Sequence, residues 1–168
     1  MSRVLGIDPG SRATGYGIID EAAGKAVWVA SGCIRTETEH FSERLRQIYE
    51  GVYRIAQEYR PSEFAIEQVF AHKNIDSALK LGHARGAAIC GGVAAALPVF
   101  EYAPREVKLA LVGKGSADKV QVQHMVRFLL SHADPLSLDA SDALAVALCH
   151  LHHRQTQQRI QRWAAMRS

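Results

Sequence analysis

The spacing of apolar positions changes along the chain, and each change marks an element. Val4-Leu5-Gly6-Ile7 is an apolar run too short for a helix and is closed by Pro9-Gly10, which predicts a buried strand entering a turn. A second β-like run through Ile18 and Ile19 follows, so the two should pair as a hairpin. Lys25 to Thr36 predicts a third strand, rich in β-branched and aromatic residues, with Gly32 for a kink or bulge. Phe41, Leu45, Ile48, Tyr49, Val52, Tyr53, Ile55 and Ala56 then recur every three or four residues, as on one face of a helix. Thr38 or Ser42 can cap that helix, and Pro61 follows its end. Glu63 to Glu67 predicts a short strand. A Gly/Ala-rich helix runs from Asn74 to Leu97, where Pro98 breaks it before the strand-like Val99 to Tyr102. A short helix from Arg105 to Val112, a Gly113-to-Ser116 turn, a helix from Ala117 to about Ser131 and a last helix from about Asp139 complete the pattern. Three antiparallel-looking strands, then strands separated by helices, describe a mixed five-stranded α/β layer fold. Strand order does not follow from the pattern.

At 168 residues the chain is one domain with enough length for a proper core. Net charge of +3 and a pI near 8.9 lean towards polyanionic partners. Cys33, Cys90 and Cys149 are odd in number and far apart, which speaks against a disulfide framework or zinc knuckle and for a reducing cytosol; buried free thiols are the expected fate of all three. The first strand starts within three residues of Met1, leaving no room for a signal peptide. The longest apolar run, Ala87 to Phe100, is broken by Gly91, Gly92 and Pro98 and is too short to span a bilayer. A cytoplasmic protein without a membrane role is expected.

Four acids interrupt or border segments that should be core. Asp8 ends the first strand and Glu67 ends the fourth. Asp139 and Asp142 lie at i and i+3, on one face of a starting helix. Each has a structural reading: Asp8 as a turn former, Glu67 as an edge-strand acid on a wet face, Asp139 (or Ser141) as an N-cap. Together they suggest a site, because sheet proteins keep sites at element ends. Converging carboxylates repel one another by several kcal/mol unless divalent cations fill the gap. Hard oxygen donors, without Cys and with few His, select Mg²⁺ or Mn²⁺ over zinc. Two such ions can activate water and stabilise the leaving oxygen of a phosphodiester.

Five pieces in order carry a family likeness: Gly6-Ile7-Asp8-Pro9-Gly10-Ser11-Arg12-x-Thr14-Gly15-Tyr16-Gly17, Ser31-Gly32-Cys33-Ile34-Arg35-Thr36, Ala65-Ile66-Glu67-Gln68-Val69-Phe70, Gly113-x-Gly115-Ser116-Ala117 and Asp139-Ala140-x-Asp142-Ala143-Leu144-Ala145. From about Arg3 to His152 the chain closely resembles the bacterial RuvC Holliday-junction resolvases. The resemblance implies a ribonuclease-H-like fold over residues 1–153, a homodimer through the Gly/Ala-rich helix 74–97, and Mg²⁺-dependent paired nicks in opposite strands of a four-way DNA junction. It also implies action beside a branch-migration complex of the RuvA and RuvB type. Its catalytic, metal-holding acids fall on Asp8, Glu67, Asp139 and Asp142; all four are acidic here, where some relatives carry His at the third.

By the same resemblance, Lys108 and Lys119 fall beside the scissile phosphate and could neutralise charge in the transition state; without it they are solvated lysines. Phe70 is either a core aromatic or, as the resemblance implies, a residue that stacks at the opened junction centre. Arg12, Lys73, Lys80, Arg85, Arg105 and Lys114 are phosphate contacts by charge alone. His150, His152 and His153 read as a solvated helix end, and residues 154–168 as a basic tail that extends the helix or stays mobile and adds non-specific DNA attraction. The opening hairpin also resembles the phosphate-binding strands of actin-like sugar kinases, but those need two lobes of this size. A junction-binding module without catalysis and another ribonuclease-H-like nuclease are the remaining alternatives.

Overall fold

A computed structural model describes residues 2–70 and 74–167. The elements are β1 (Ser2–Asp8), β2 (Ala13–Ala22), β3 (Lys25–Arg35), α1 (Phe41–Tyr59), β4 (Glu63–Glu67), α2 (Ile75–Ala94), β5 (Val99–Tyr102), α3 (Pro104–Val112), α4 (Lys119–Leu129) and α5 (Leu138–Ala165). The five strands form one sheet in the order β3-β2-β1-β4-β5. The hairpin partners β1–β2 and β2–β3 are antiparallel, whereas β1–β4 and β4–β5 are parallel, each reached through a helical crossover. The mixed sheet predicted from the pattern is therefore present, with β1 at its centre.

Alternation along the strands divides the core into two layers. Leu5, Ile7, Ile18, Phe64 and Ile66 pack against α1 and α2 through Ile48, Val52, Ile55, Ala84 and Ala88. Val4, Ile19 and Ala65 face the other way, onto α5 and the flanking α3 and α4. Asp8 and Glu67 share the parity of Val4 and Ala65 and so belong to the α5 side.

Several local expectations are corrected. The register shift lies between Ile18 and Ile19, opposite Val29 of β3, and not at Gly32; Gly32 instead leaves room for the Tyr16 ring, whose hydroxyl would sit 2.8 Å from a Cβ there. Helix α1 is led by His40 without a side-chain cap, because the Thr38 hydroxyl accepts the His40 N–H at 3.1 Å. Asn74 caps α2 as the pattern suggests, accepting the Ser77 N–H, but the helix stops at Ala94, before Leu97, where Ala96 turns left-handed. Asp118 and Gln121 form a capping box on α4, so that helix starts two residues later than the apolar spacing implies. Ser137, not Asp139 or Ser141, caps α5, which leaves the Asp139 carboxylate free for other partners. Of the three thiols only Cys149 is buried; Cys33 is half-buried and Cys90 is exposed.

The three histidines lie inside α5, not at its end. His150 is 3% exposed; its Nδ1 pairs with the Tyr102 hydroxyl at 2.8 Å and its Nε2 with Glu63 at 3.0 Å. Burial pushes its pKa down, against the pull of Glu63. Arg154, one turn on, pairs with Glu63 and Glu21 and bonds the Ser2 hydroxyl. The segment expected as a tail thus begins as part of the folded body and continues α5 to Ala165. Among the described residues no helix is long and apolar enough to cross a membrane.

Candidate active site

Parallel pairing of β1 and β4 sets Ile7 beside Ile66, so Asp8 and Glu67 leave the sheet side by side at its C-terminal edge. The first turns of α5 cross this edge on the same face. They can approach because the strands there carry glycine: Gly6 pairs with Gly17 and Asp8 with Gly15. A Cβ on Gly15 would collide with the Asp139 carbonyl, one on Gly6 with the Ala143 carbonyl, and one on Gly17 would lie 2.6 Å from Leu144. Three small positions at alternating spacing thus form the groove in which the acid-bearing helix rests.

Asp8, Glu67 and Asp142 line a cleft of about 280 Å³ with Lys108, Lys119, Pro104, Val107, Val122 and Ala145. A larger cleft of about 500 Å³ between the β2–β3 turn, α4 and α5 contains no carboxylate, so chemistry and not volume distinguishes the site. Asp139 stands one helical turn away, at the β2–β3 side, where the Cys33 thiol donates to its Oδ2 at 3.7 Å. Among the described residues no three His, Cys, Asp or Glu side chains close on one point as a formed metal cage. Acids without counter-charge hold apart.

That repulsion is visible in the proton affinities. Asp8 is pushed up to about 8, first by burial and then by Glu67, Asp142 and Asp139, with Lys119 pulling back. Burial likewise raises Glu67, helped by Asp142 and opposed by its hydrogen bond with Asp8 and by Lys119 and Lys108. Asp142 is raised by burial against the attraction of Lys119, whose Nζ lies 3.6 Å from Oδ2. An oxygen-only donor set with surplus negative charge fits hard divalent cations.

The other predicted contacts divide. Lys119 is exposed at the cleft mouth and Lys108 is half-buried in its wall. Phe70, three residues past Glu67, is 55% exposed and outside the core. Arg12 is exposed and loosely paired with Glu39 at 3.5 Å. Lys80 pairs with Asp76 on the surface of α2. Arg105 and Lys114 are exposed, the Arg105 side chain packed over Gly115. Lys73 lies outside the described residues. Arg85 differs from the expectation of a free phosphate contact: its Nε–H donates to the Glu67 carbonyl at 3.0 Å and its terminal amino group to Glu101. The contact of Cys33 with Asp139, the tie of Arg85 to the strand end and the glycine groove were missed. Only the groove had a signal, glycines two apart in a strand beside a third in its partner.

Comparison with known proteins agrees with this geometry. The family model for crossover junction endodeoxyribonuclease RuvC matches residues 4–150. A protein of that name from Methylococcus capsulatus is 74% identical over 162 residues, covering 96% of this chain and 98% of its own. RuvC of T. thermophilus, solved in complex with a Holliday junction substrate, superposes with a TM-score of 0.86 at 34% identity, over 94% of this chain and 97% of that one. The yeast mitochondrial Holliday junction resolvase, at 11% identity and a TM-score of 0.70 over 99% of this chain and 86% of its own, shares the fold. A sheet that brings strand-end acids under the start of one helix, matched over nearly the whole chain, leaves one assignment: the chain belongs to the RuvC family of crossover junction endodeoxyribonucleases, the resolvases of Holliday junctions.

Proposed function

We propose that this chain binds four-way DNA junctions as a homodimer and resolves them by Mg²⁺-dependent, paired symmetric nicks in opposite strands, leaving 5′-phosphate and 3′-hydroxyl ends. The observation that carries the reading is the cleft in which Asp8, Glu67 and Asp142 are held together at the cost of raised proton affinity, beside two lysines. Asp8, Glu67, Asp139 and Asp142 would hold the cations. Bound there, two Mg²⁺ ions, or Mn²⁺ in their place, would supply an activated water and charge compensation at the leaving oxygen.

The chain's own groups do the rest. Lys119, exposed at the cleft mouth, and Lys108, half-buried in its wall, hold the scissile phosphate and offset charge growing on its oxygens. Pro104, Val107, Val122 and Ala145 give the cleft an apolar side that strengthens those interactions. Phe70 offers its exposed ring to a base unpaired at the junction centre. Arg12, Lys80, Arg105 and Lys114 lie on the surface as backbone contacts. Residues 1–153 form the nuclease domain, and the basic segment 154–168, past the paired Arg154, adds non-specific attraction to DNA. The setting is the cytoplasm, beside a RuvA and RuvB type branch-migration complex.

Support for the dimer comes from α2. Gly82 and Gly86 sit mid-helix, each costing about 1 kcal/mol of helix stability against alanine, and no described residue beyond the helix's own neighbouring turns lies within 4 Å of where a Cβ would go. Exposed Leu79 and Val93 extend the same region. A second copy packed there would relate two sites by a two-fold axis, as opposed strands of a junction require.

The test is incubation with a synthetic four-way junction, a linear duplex and an RNA–DNA hybrid, each with Mg²⁺ and with chelator. Symmetric nicks in the junction alone, and only with Mg²⁺, are expected. Binding without nicks would leave a non-catalytic junction module, and cutting of the hybrid alone would overturn the substrate. In the same assay Phe70→Ala slows junction cleavage by about 5–150-fold, the equivalent of one base stack. Its thermal midpoint stays near wild type, as for other exposed positions; a large fall in that midpoint with intact cleavage would return Phe70 to a packing role.

A further inference from the structure

Glu67 is the last residue of β4, and the chain leaves the sheet immediately after it. The final ladder bond is the Gln68 N–H to the Tyr102 carbonyl at 2.8 Å. Beyond it the strand end is tied from the opposite face of the sheet by Arg85. This residue sits on α2 beside Ala84, which is buried against the strands. Its side chain is only 18% exposed. The guanidinium Nε–H donates to the Glu67 carbonyl and Nη2 to the Glu101 carboxylate on β5, so one planar group spans two neighbouring parallel strands.

The geometry points to Arg85 as a positioning residue for Glu67, acting through the peptide that joins Glu67 to Gln68. Resting on the reading of Glu67 as a metal-holding acid, this goes beyond it by naming what holds that acid in place. The Glu67 carboxylate lines the cleft beside Asp8 and Asp142, so its place there depends on how the strand end is held. The outgoing peptide is held at its N–H by Tyr102 and at its carbonyl by Arg85, and without the second hold it would rotate about the first and carry the carboxylate from its place in the cleft. Arg85 blocks that rotation by fixing the carbonyl oxygen. Glu101 in turn holds the fork, orienting the guanidinium and balancing its charge. An ammonium cannot replace it, because a single nitrogen lacks the two-pronged reach. The same tie joins the site to α2, so a shift of α2 is felt directly at an acid of the cleft.

The test uses the full-length protein, a synthetic junction and single-turnover cleavage at saturating enzyme. Arg85→Gln is expected to lower the rate and raise the Mg²⁺ needed for half-maximal rate, each by on the order of 10–100-fold, as for other groups that orient a metal ligand. Junction affinity measured in chelator stays within about twofold and the thermal midpoint within a few degrees, as for other positions outside the core. Arg85→Ala regains rate when millimolar guanidinium is added, and Arg85→Lys regains little. Wild-type rate and Mg²⁺ requirement in Arg85→Gln overturn the proposal. Weakened junction binding with an unchanged rate at saturation also overturns it, returning Arg85 to a phosphate contact. Should Arg85→Gln fold poorly, guanidinium rescue of Arg85→Ala decides: rate regained without a change in midpoint supports positioning, and no regain overturns it. Glu67→Gln serves as control. If it cleaves at the wild-type rate the catalytic reading of the acids fails, a result separable from any outcome at Arg85.

Discussion

Asp8→Asn abolishes junction cleavage, by on the order of 1000-fold or more, while junction binding persists or tightens. The substitution removes a metal-holding oxygen and a repelling charge together. Its second effect is on stability and has a definite sign. Burial and three acidic neighbours hold the Asp8 carboxyl well above its ordinary value of 3.8, at about 8. A folded-state pKa above the unfolded one means that the native chain binds the proton more tightly. The stability this contributes is present in full below the ordinary value and is lost as pH climbs through about 8. Without metal, wild type should therefore melt progressively lower between pH 4 and 8, and Asp8→Asn should do so less steeply, keeping only the slope from Glu67 and Asp142, whose carboxyls burial also raises. At pH 8 in chelator the variant melts several degrees higher, and the two converge near pH 4. Added Mg²⁺ raises the wild-type midpoint and narrows the gap, since a ligand bound only by the native state stabilises it. Thermal melts at the two pH values, with and without Mg²⁺, check this. A variant less stable than wild type at pH 8 in chelator would mean that Asp8 is held by a favourable partner.

Gly15→Ala should be the most damaging single methyl in the protein. The added Cβ meets the Asp139 backbone, which cannot swing aside as a side chain would. Overpacking of this kind costs up to about 3 kcal/mol, or a fall of roughly 6–12 °C in midpoint for a domain of this size. If α5 lifts to make room, Asp139 and Asp142 leave Asp8, so cleavage falls together with stability. Gly24→Ala, at a turn with open space around it, is the comparison: its left-handed backbone makes it mildly unfavourable, and cleavage is unaffected. A Gly15→Ala protein with wild-type midpoint and activity would show that α5 is less closely seated than described.

The elements that were legible in the sequence are those whose signal is local. The short apolar run Val4 to Ile7 and the short segment Glu63 to Glu67 were legible as strands, whereas the parity that sets Asp8 and Glu67 on one face emerged only with the fold. The i, i+3 spacing of Asp139 and Asp142 placed both at the head of α5. What could not be read is what depends on long-range partners. His150 looks like a solvated histidine until Tyr102 and Glu63, each more than forty residues away, close around it. Arg154 looks like the first residue of a basic tail until Glu21 and Glu63 claim it. Arg85 counts as one more cation by composition, and only the tertiary fold turns it towards a strand end. Helix starts were off by one or two residues because the cap, not the apolar period, sets them, as at Asp118 and Ser137.

Helix α5 carries its two acids at one end and, some three turns further on, the buried pairings of His150 and Arg154 with Glu63. A helix that slips by one residue also rotates by about 100°. The His150–Glu63–Arg154 cluster therefore works as an indexing pin: only one axial setting satisfies it, and that same setting aims Asp139 and Asp142 at the mouth of β1. Aim is held at the far end of the rod, about 12–22 Å from the acids along the axis. A substitution near Glu63 or Arg154 that leaves the fold standing but frees the rotation would thus misdirect carboxylates it never touches.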